Sequence, residues 1–253
     1  ILHRQPTRAP IQGRFYSDVF WSNNLASTNR NKTEGFFWAN TLEASWRPKV
    51  ADNLYLDTLI GQDIYVYEAG LLNFQSTRLG LGLIRTIPSL GNLALSARYE
   101  FFYSHSNNPS YPDFADNRHL NDHYHRLRFG ANRPLLITKE HAAFASVEAA
   151  FDLESDPESL ERFEYAGLIG YTYSFSDQLK LSTFYRLAWS DYRNTSRDDW
   201  NHIVGLELSY AVSEVIRCHT ALLYSHNSSS SPLGFNDYDY FQGGLGVGLS
   251  GKF

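Results

Sequence analysis

The run Tyr238-Asp-Tyr-Phe-Gln-Gly-Gly-Leu-Gly-Val-Gly-Leu-Ser-Gly-Lys-Phe253 decides how the rest of the chain is read. Counting back from Phe253, every second residue (Leu249, Val247, Leu245, Phe241) is bulky and apolar, interrupted only by Gly251 and Gly243. The alternates Lys252, Ser250, Gly248, Gly246, Gly244 and Gln242 are polar or tiny. A period of two with one greasy and one wet or crowded face is the pattern of a β-strand.

This strand ends on an aromatic residue, and no helix is predicted near it to cover the greasy face. It resembles the closing strand of bacterial outer-membrane β-barrels, a family whose last residue is typically Phe. The resemblance implies a transmembrane barrel and contact with membrane lipid and lipopolysaccharide.

Bulk properties are compatible with that reading. Tyr, Phe and Trp make up 15% of the 253 residues, yet the mean hydropathy is negative and no apolar run approaches the ~20 residues of a membrane helix. A barrel strand shows lipid only alternate residues, so a membrane barrel reads as hydrophilic overall. A net charge of −5 with scattered Lys and Arg gives no basic field for nucleic acid. The lone Cys218 excludes an internal disulfide. No cofactor is expected, there being no phosphate loop or nucleotide fingerprint. The chain begins at Ile1 and holds no Met, from which an upstream segment is expected.

Residues 1–13, with Pro6, Pro10 and Gly13, read as a periplasmic lead-in, and 14–253 as the barrel. Alternating segments fall at 14–22, 34–48, 53–67, 74–86, 92–105, 122–133, 141–154, 162–175, 179–192, 200–212, 215–226 and 238–253. That is about twelve strands, the even number that an up-and-down antiparallel bacterial barrel requires. Links alternate in length: short at Lys49–Asp52, Ile87–Gly91, Leu135–Glu140, Ser176–Gln178 and Ser213–Glu214, longer between. Short periplasmic turns and long extracellular loops produce that alternation. A soluble propeller or sandwich is the alternative, although no recurring blade signature is present. The Ala-rich run Ala142–Phe151 could also begin a helix reaching Glu161; the hairpin count favours a strand.

Parity assigns the faces. Leu93, Leu95, Ala97, Tyr99, Phe101 and Tyr103, and likewise Leu179, Leu181, Thr183, Tyr185, Leu187 and Trp189, should face lipid. Aromatic residues toward strand ends, such as Trp38, Trp46, Tyr171, Tyr173 and Tyr224, suit interfacial girdles. The opposite parity carries Asp18, Glu43, Asp57, Arg78, Arg98, Glu100, Arg126, Arg128, Glu148, Asp152, Glu164, Lys180, Arg186, Glu207 and Arg217. Charges are costly toward lipid and belong inside.

The function expected is passive passage of small polar or anionic solutes, with Arg78, Arg98, Arg126, Arg128, Arg186 and Arg217 lining the lumen and Glu100 and Glu148 shaping its constriction. Two arrangements of the arginines are open: a ladder for carboxylate or phosphate groups, or pairing with Glu100, Asp57 and Glu148. In the second case the alternative function is a filled anchor for a periplasmic domain or envelope assembly.

Two motifs suggest other chemistry. Tyr103-Ser-His105-Ser106-Asn107-Asn108, followed by His125, is similar to the outer-membrane phospholipase family, whose His and nucleophilic Ser lie two apart on a lipid-facing strand with an orienting Asn on the next. Here position 107 is Asn and Ser106 has the opposite parity, and His226-Asn-Ser228 has the spacing without an evident partner. No enzyme activity is therefore expected. His119, Asp122, His123 and His125, with Asp113 and Asp116, have ligand types for a metal but no established spacing.

Overall fold

The computed structural model describes residues 11–25, 32–68, 73–107, 119–231 and 237–253. Its strands are β1 (Ile11–Ser22), β2 (Gly35–Trp46), β3 (Lys49–Ala51), β4 (Leu54–Tyr67), β5 (Asn73–Ile87), β6 (Leu93–Asn107), β7 (His119–Ile137), β8 (His141–Asp156), β9 (Arg162–Ser174), β10 (Leu179–Tyr192), β11 (Arg197–Ala211), β12 (Ile216–Ser229) and β13 (Tyr238–Lys252). All pairings are antiparallel, β1 pairs with β13, and β2 pairs with β4, so the ring closes. The result is a closed barrel of twelve long strands, with β3 a short extra piece beside the start of β4.

The shortest long strands have 12 residues and β7 has 19, enough for a tilted crossing of the hydrocarbon. Residues 1–10 of the expected lead-in lie outside the described residues. Residues 11–13 already belong to β1, where Ile11 and Phe253 exchange backbone hydrogen bonds of 3.0 and 2.9 Å. The chain's last residue is thus tied to the first strand.

Several boundaries differ from the periodicity. The sixth segment, read as 122–133, is a strand over His119–Ile137. Pro134, within it, sits at a register shift between Pro134 and Leu136, the irregular position at which a sheet tolerates a residue without an N–H. Pro48 acts similarly between β2 and β3: it offers only its carbonyl, which accepts from Leu56 N–H at 3.0 Å. The short link after it tightens to a turn with Asn53 at φ 57°. The Ala-rich run is strand β8, and helical geometry between it and Glu161 is confined to a 3₁₀ turn at Glu158–Leu160.

The short turns are held by local hydroxyls. Ser176 Oγ accepts from the backbone N–H groups of Gln178 and Leu179 at 3.2 and 3.0 Å, and Ser213 Oγ from Val215 and Ile216 at the same distances. A side chain that satisfies two backbone donors lets the chain reverse in few residues.

Parity holds around the ring. Leu245, Val247, Leu249 and Phe241 are exposed outward, as are Leu95, Tyr99, Tyr103 and Tyr185. The few polar residues of the outer band pair locally: Ser17 donates to Asn40 Oδ1 at 2.9 Å and Thr77 to Gln62 Oε1 at 2.7 Å. On the inner side of β13 the glycines are covered by neighbours from β1. A Cβ at Gly244 would meet Phe20 at 2.3 Å and Val19 O at 2.4 Å; at Gly246 it would meet Asp18 Oδ1 at 1.6 Å; at Gly248, Tyr16 at 2.8 Å. The tiny face of the last strand is therefore the bed on which the first strand's lumenal side chains lie. A Cβ at Gly243, on the outer face, would meet the flexible tip of Leu222 at 3.2 Å and Phe241 at an ordinary 3.8 Å.

Replacing Gly244 by Val should accordingly destabilise the barrel by about 2 kcal/mol through overpacking, while Gly243→Val should change it little. Urea unfolding of both variants in detergent, followed by tryptophan fluorescence, checks the contrast.

Candidate functional site

The barrel has no apolar core of ordinary size. Its buried hydrophobic side chains, among the described residues, are Phe37, Ala39, Ala150, Ala188 and Tyr192. The interior is instead polar and charged. Register places each of the predicted inner residues, from Asp18 to Arg217, on the lumenal face, because directly paired residues of an antiparallel sheet share a side.

On β4 to β8 these charges form a continuous chain of alternating sign. Asp57 accepts from Arg47 Nε at 2.6 Å and from Arg98 Nε at 2.9 Å. Arg98 also approaches Glu100 at 3.4 Å, and Glu100 accepts from Arg128 Nε at 3.1 Å. Arg128 continues to Glu148 at 2.7 Å. Arg98 reaches Asp57 by crossing all of β5. The crossing is open because Gly80 and Gly82 lie beneath it: a Cβ on Gly82 would stand 2.9 Å from Arg98 Cβ, and one on Gly80 3.1 Å from Arg98 Cδ. The alternating Leu79-Gly-Leu-Gly-Leu83 of β5 is thus greasy toward lipid and empty toward the lumen.

Three further groups complete the wall. Arg126 grips Asp152 with two bonds, Nε to Oδ1 at 2.6 Å and Nη2 to Oδ2 at 3.1 Å, and both side chains are almost fully buried. Its guanidinium stands 4.5 Å over the Tyr124 ring, and Asp152 also accepts from Arg162 N–H at 3.2 Å. Glu164 takes Arg186 at 2.7 Å and Arg162 at 3.4 Å. Arg78 pairs with Asp63 at 2.9 Å, with Thr41 and Ser76 donating to the same carboxylate.

Five of the six lumenal arginines named from the sequence are therefore ion-paired, and the open ladder is replaced by pairing. The reason is spacing: Asp152 stands opposite Arg126, Asp63 stands diagonal to Arg78, Glu100 and Glu148 stand diagonal to Arg128, and the long side chains of Arg98 and Arg186 reach acids farther along the wall. Arg217, the sixth, has no ion pair among the described residues. Asp63, Arg47 and Arg162 are partners that the sequence reading missed; Asp63 shares the parity of Asp57, and that signal was available.

Among the described residues, cavities lie on the other side of the barrel. A cavity of about 240 Å³ toward the loops is bounded by β9 to β13, with Arg162, Tyr192, Arg197, Asp199, Tyr238 and Tyr240 among its walls. Toward the short turns, a cavity of about 370 Å³ is lined by Arg14, Tyr16 and Arg217 beside β13, and another of about 440 Å³ adjoins it.

The remaining candidate residues do not converge. His105 points outward, its Nδ1 2.7 Å from Asn121 Oδ1 on the facing strand, while Ser104 and Ser106 pair with lumenal Asp122 and Leu120 positions. The side chain of Asn107 lies outside the described residues. His226 faces outward opposite His202, and Ser228 outward opposite Trp200. His123 and His125 are on the outer face and Asp122 on the inner one; Asp113, Asp116 and the His119 side chain lie outside the described residues. Among the described residues no group of three or more potential ligands is arranged for a metal.

No family model matches this chain, and no curated protein matches it. Solved structures do. An outer-membrane channel from Pseudomonas putida F1 superposes with a TM-score of 0.64 at 11% identity, covering 98% of this chain and 97% of the other. The translocator domain of the autotransporter NalP from Neisseria meningitidis gives 0.50 at 14% identity, covering 98% and 90%. The β domain of the Bordetella autotransporter BrkA gives 0.51 at 12%, covering 96% and 100%. At these identities the likeness is one of fold: the chain has the architecture of bacterial outer-membrane β-barrels.

Removing Arg126 leaves Asp152 charged, buried and short of its main partner, so Arg126→Ala should cost about 3 kcal/mol. The double variant Arg126→Ala/Asp152→Ala should recover part of that loss. A double-mutant cycle of unfolding free energies in detergent measures both.

Proposed function

We propose that this chain is a passive outer-membrane channel for small polar or anionic solutes. The observation that carries the reading is the room left beside the longest run of ion pairs. The longest run of linked ion pairs, from Asp57 to Glu148, follows the β4–β8 wall, whereas cavities among the described residues lie along β9–β13 and β1 at both ends of the lumen, the loop-side one walled in part by the Arg162–Glu164–Arg186 pairs. A polar wall with room beside it suits hydrated solutes better than a scaffold whose interior is filled.

In this reading Arg78, Arg98, Arg126, Arg128 and Arg186 hold the wall in shape while presenting a mixed-sign surface. Glu100 and Glu148 flank Arg128 and set the local field of the narrowest part. Such a surface exchanges hydration water for protein donors and acceptors without holding one ion tightly.

The second reading is a membrane anchor or translocator for a larger envelope assembly. It is favoured by the ion pairing of the mid-barrel arginines and by the fold shared with two autotransporter barrels.

Planar-bilayer recording separates the two. The channel reading expects stable ohmic steps from the purified, folded chain; consistent silence would sink it in favour of the anchor. Arg128→Ala should move selectivity toward cations by about twofold or more, because Glu100 and Glu148 lose the positive charge between them. Reversal potentials in a KCl gradient read that shift.

A further inference from the structure

Arg14 and Arg217 stand on either side of β13 near the end of the barrel that carries the short turns. Arg217 on β12 is paired with Gly248, which is paired in turn with Tyr16; Arg14 on β1 is paired with Ser250. Both arginines therefore face the lumen, one step apart along the strands, across a wall position with no side chain.

Their environment differs from that of the mid-barrel arginines. Arg217 is exposed and has no ion pair or hydrogen bond to its guanidinium among the described residues. Arg14 is 46% exposed and has only a loose approach to Glu43 at 3.7 Å. With Tyr16 they line the cavity of about 370 Å³, and the adjoining cavity of about 440 Å³ adds Lys252 and one carboxylate, Glu214. The next lumenal residue up β12, His219, is occupied with Asp18 at 2.7 Å.

We propose that Arg14, Arg217 and Tyr16 form a docking site for a small oxyanion, a carboxylate or a phosphate, at the turn-side mouth of the lumen. Two guanidinium groups with open donors and a phenol suit such a group, which they would hold with charge-assisted hydrogen bonds. The site lies at the periplasmic end, where the short turns of a bacterial barrel sit. This inference rests on the channel reading and refines it: anion preference arises at this mouth and not at the mid-barrel arginines, whose charge is already matched.

The test uses the purified chain in a planar bilayer with inorganic phosphate added to one side at a time. Phosphate on the turn side should reduce the chloride current, and Arg14→Ala/Arg217→Ala should weaken that block by about tenfold or more and lower the anion-to-cation permeability ratio. Lys139→Ala, at a turn outside the lumen, should change neither. If the channel conducts but phosphate acts equally on the variant, or not at all, the docking site is overturned while the channel reading stands. If no variant conducts, the channel reading falls, and calorimetric titration of the folded protein with phosphate decides the site: binding lost in the double variant supports it, and no binding to the unsubstituted chain overturns it.

Discussion

A backbone N–H or C=O left unpaired in hydrocarbon costs several kcal/mol, and this constraint governs everything else in the molecule. Strands can cross a membrane only if every edge is paired, so β1 and β2 must meet β13 and β4 and the ring must close. The final strand carries that closure. Its inner glycines let Tyr16, Asp18 and Phe20 lie flat against it, and its last residue exchanges backbone hydrogen bonds with Ile11. A bulkier inner face would hold the two strands apart at the one junction where the ends of the sequence meet.

Closure inverts the usual distribution of polarity. Lipid takes the apolar parity, so the other parity must be polar, and its charges are enclosed by protein. In that environment an isolated charge is costly and a matched one is tolerable. The run Arg47–Asp57–Arg98–Glu100–Arg128–Glu148 answers the problem by alternating sign along the wall. Gly80 and Gly82 are part of this solution, since a side chain on either would block the reach of Arg98 over β5.

Most of the fold was legible because a period of two is written into each strand and every lumenal charge keeps to one parity. What was not legible follows from three-dimensional closeness. The parity of Asp63 is legible, but its hold on Arg78 is not, because that depends on the register of β4 against β5. The segment read as 122–133 stopped short of Pro134, and only the pairing places that residue at an irregularity within a strand. The likeness of His105 to a catalytic His was half right in geometry, as an Asn does face it from the next strand, but that residue is Asn121 and the flanking serines point inward. Whether arginines formed a ladder or pairs depended on diagonal neighbours, which a list of parities leaves undetermined.

The pairing also bears on how such a lumen could conduct. A passage must attract a solute enough to admit it and hold it weakly enough to release it. Unmatched arginines midway along a narrow, protein-walled path would act at low dielectric, where attraction is strong, and would trap an anion. The same charges at a water-filled mouth are screened within about 10 Å at moderate salt, so they concentrate anions without immobilising them. In the proposed channel the charge distribution agrees with that logic: matched charge from Arg78 to Arg186 along the middle, and Arg217 with no ion pair among the described residues where the lumen opens toward the short turns.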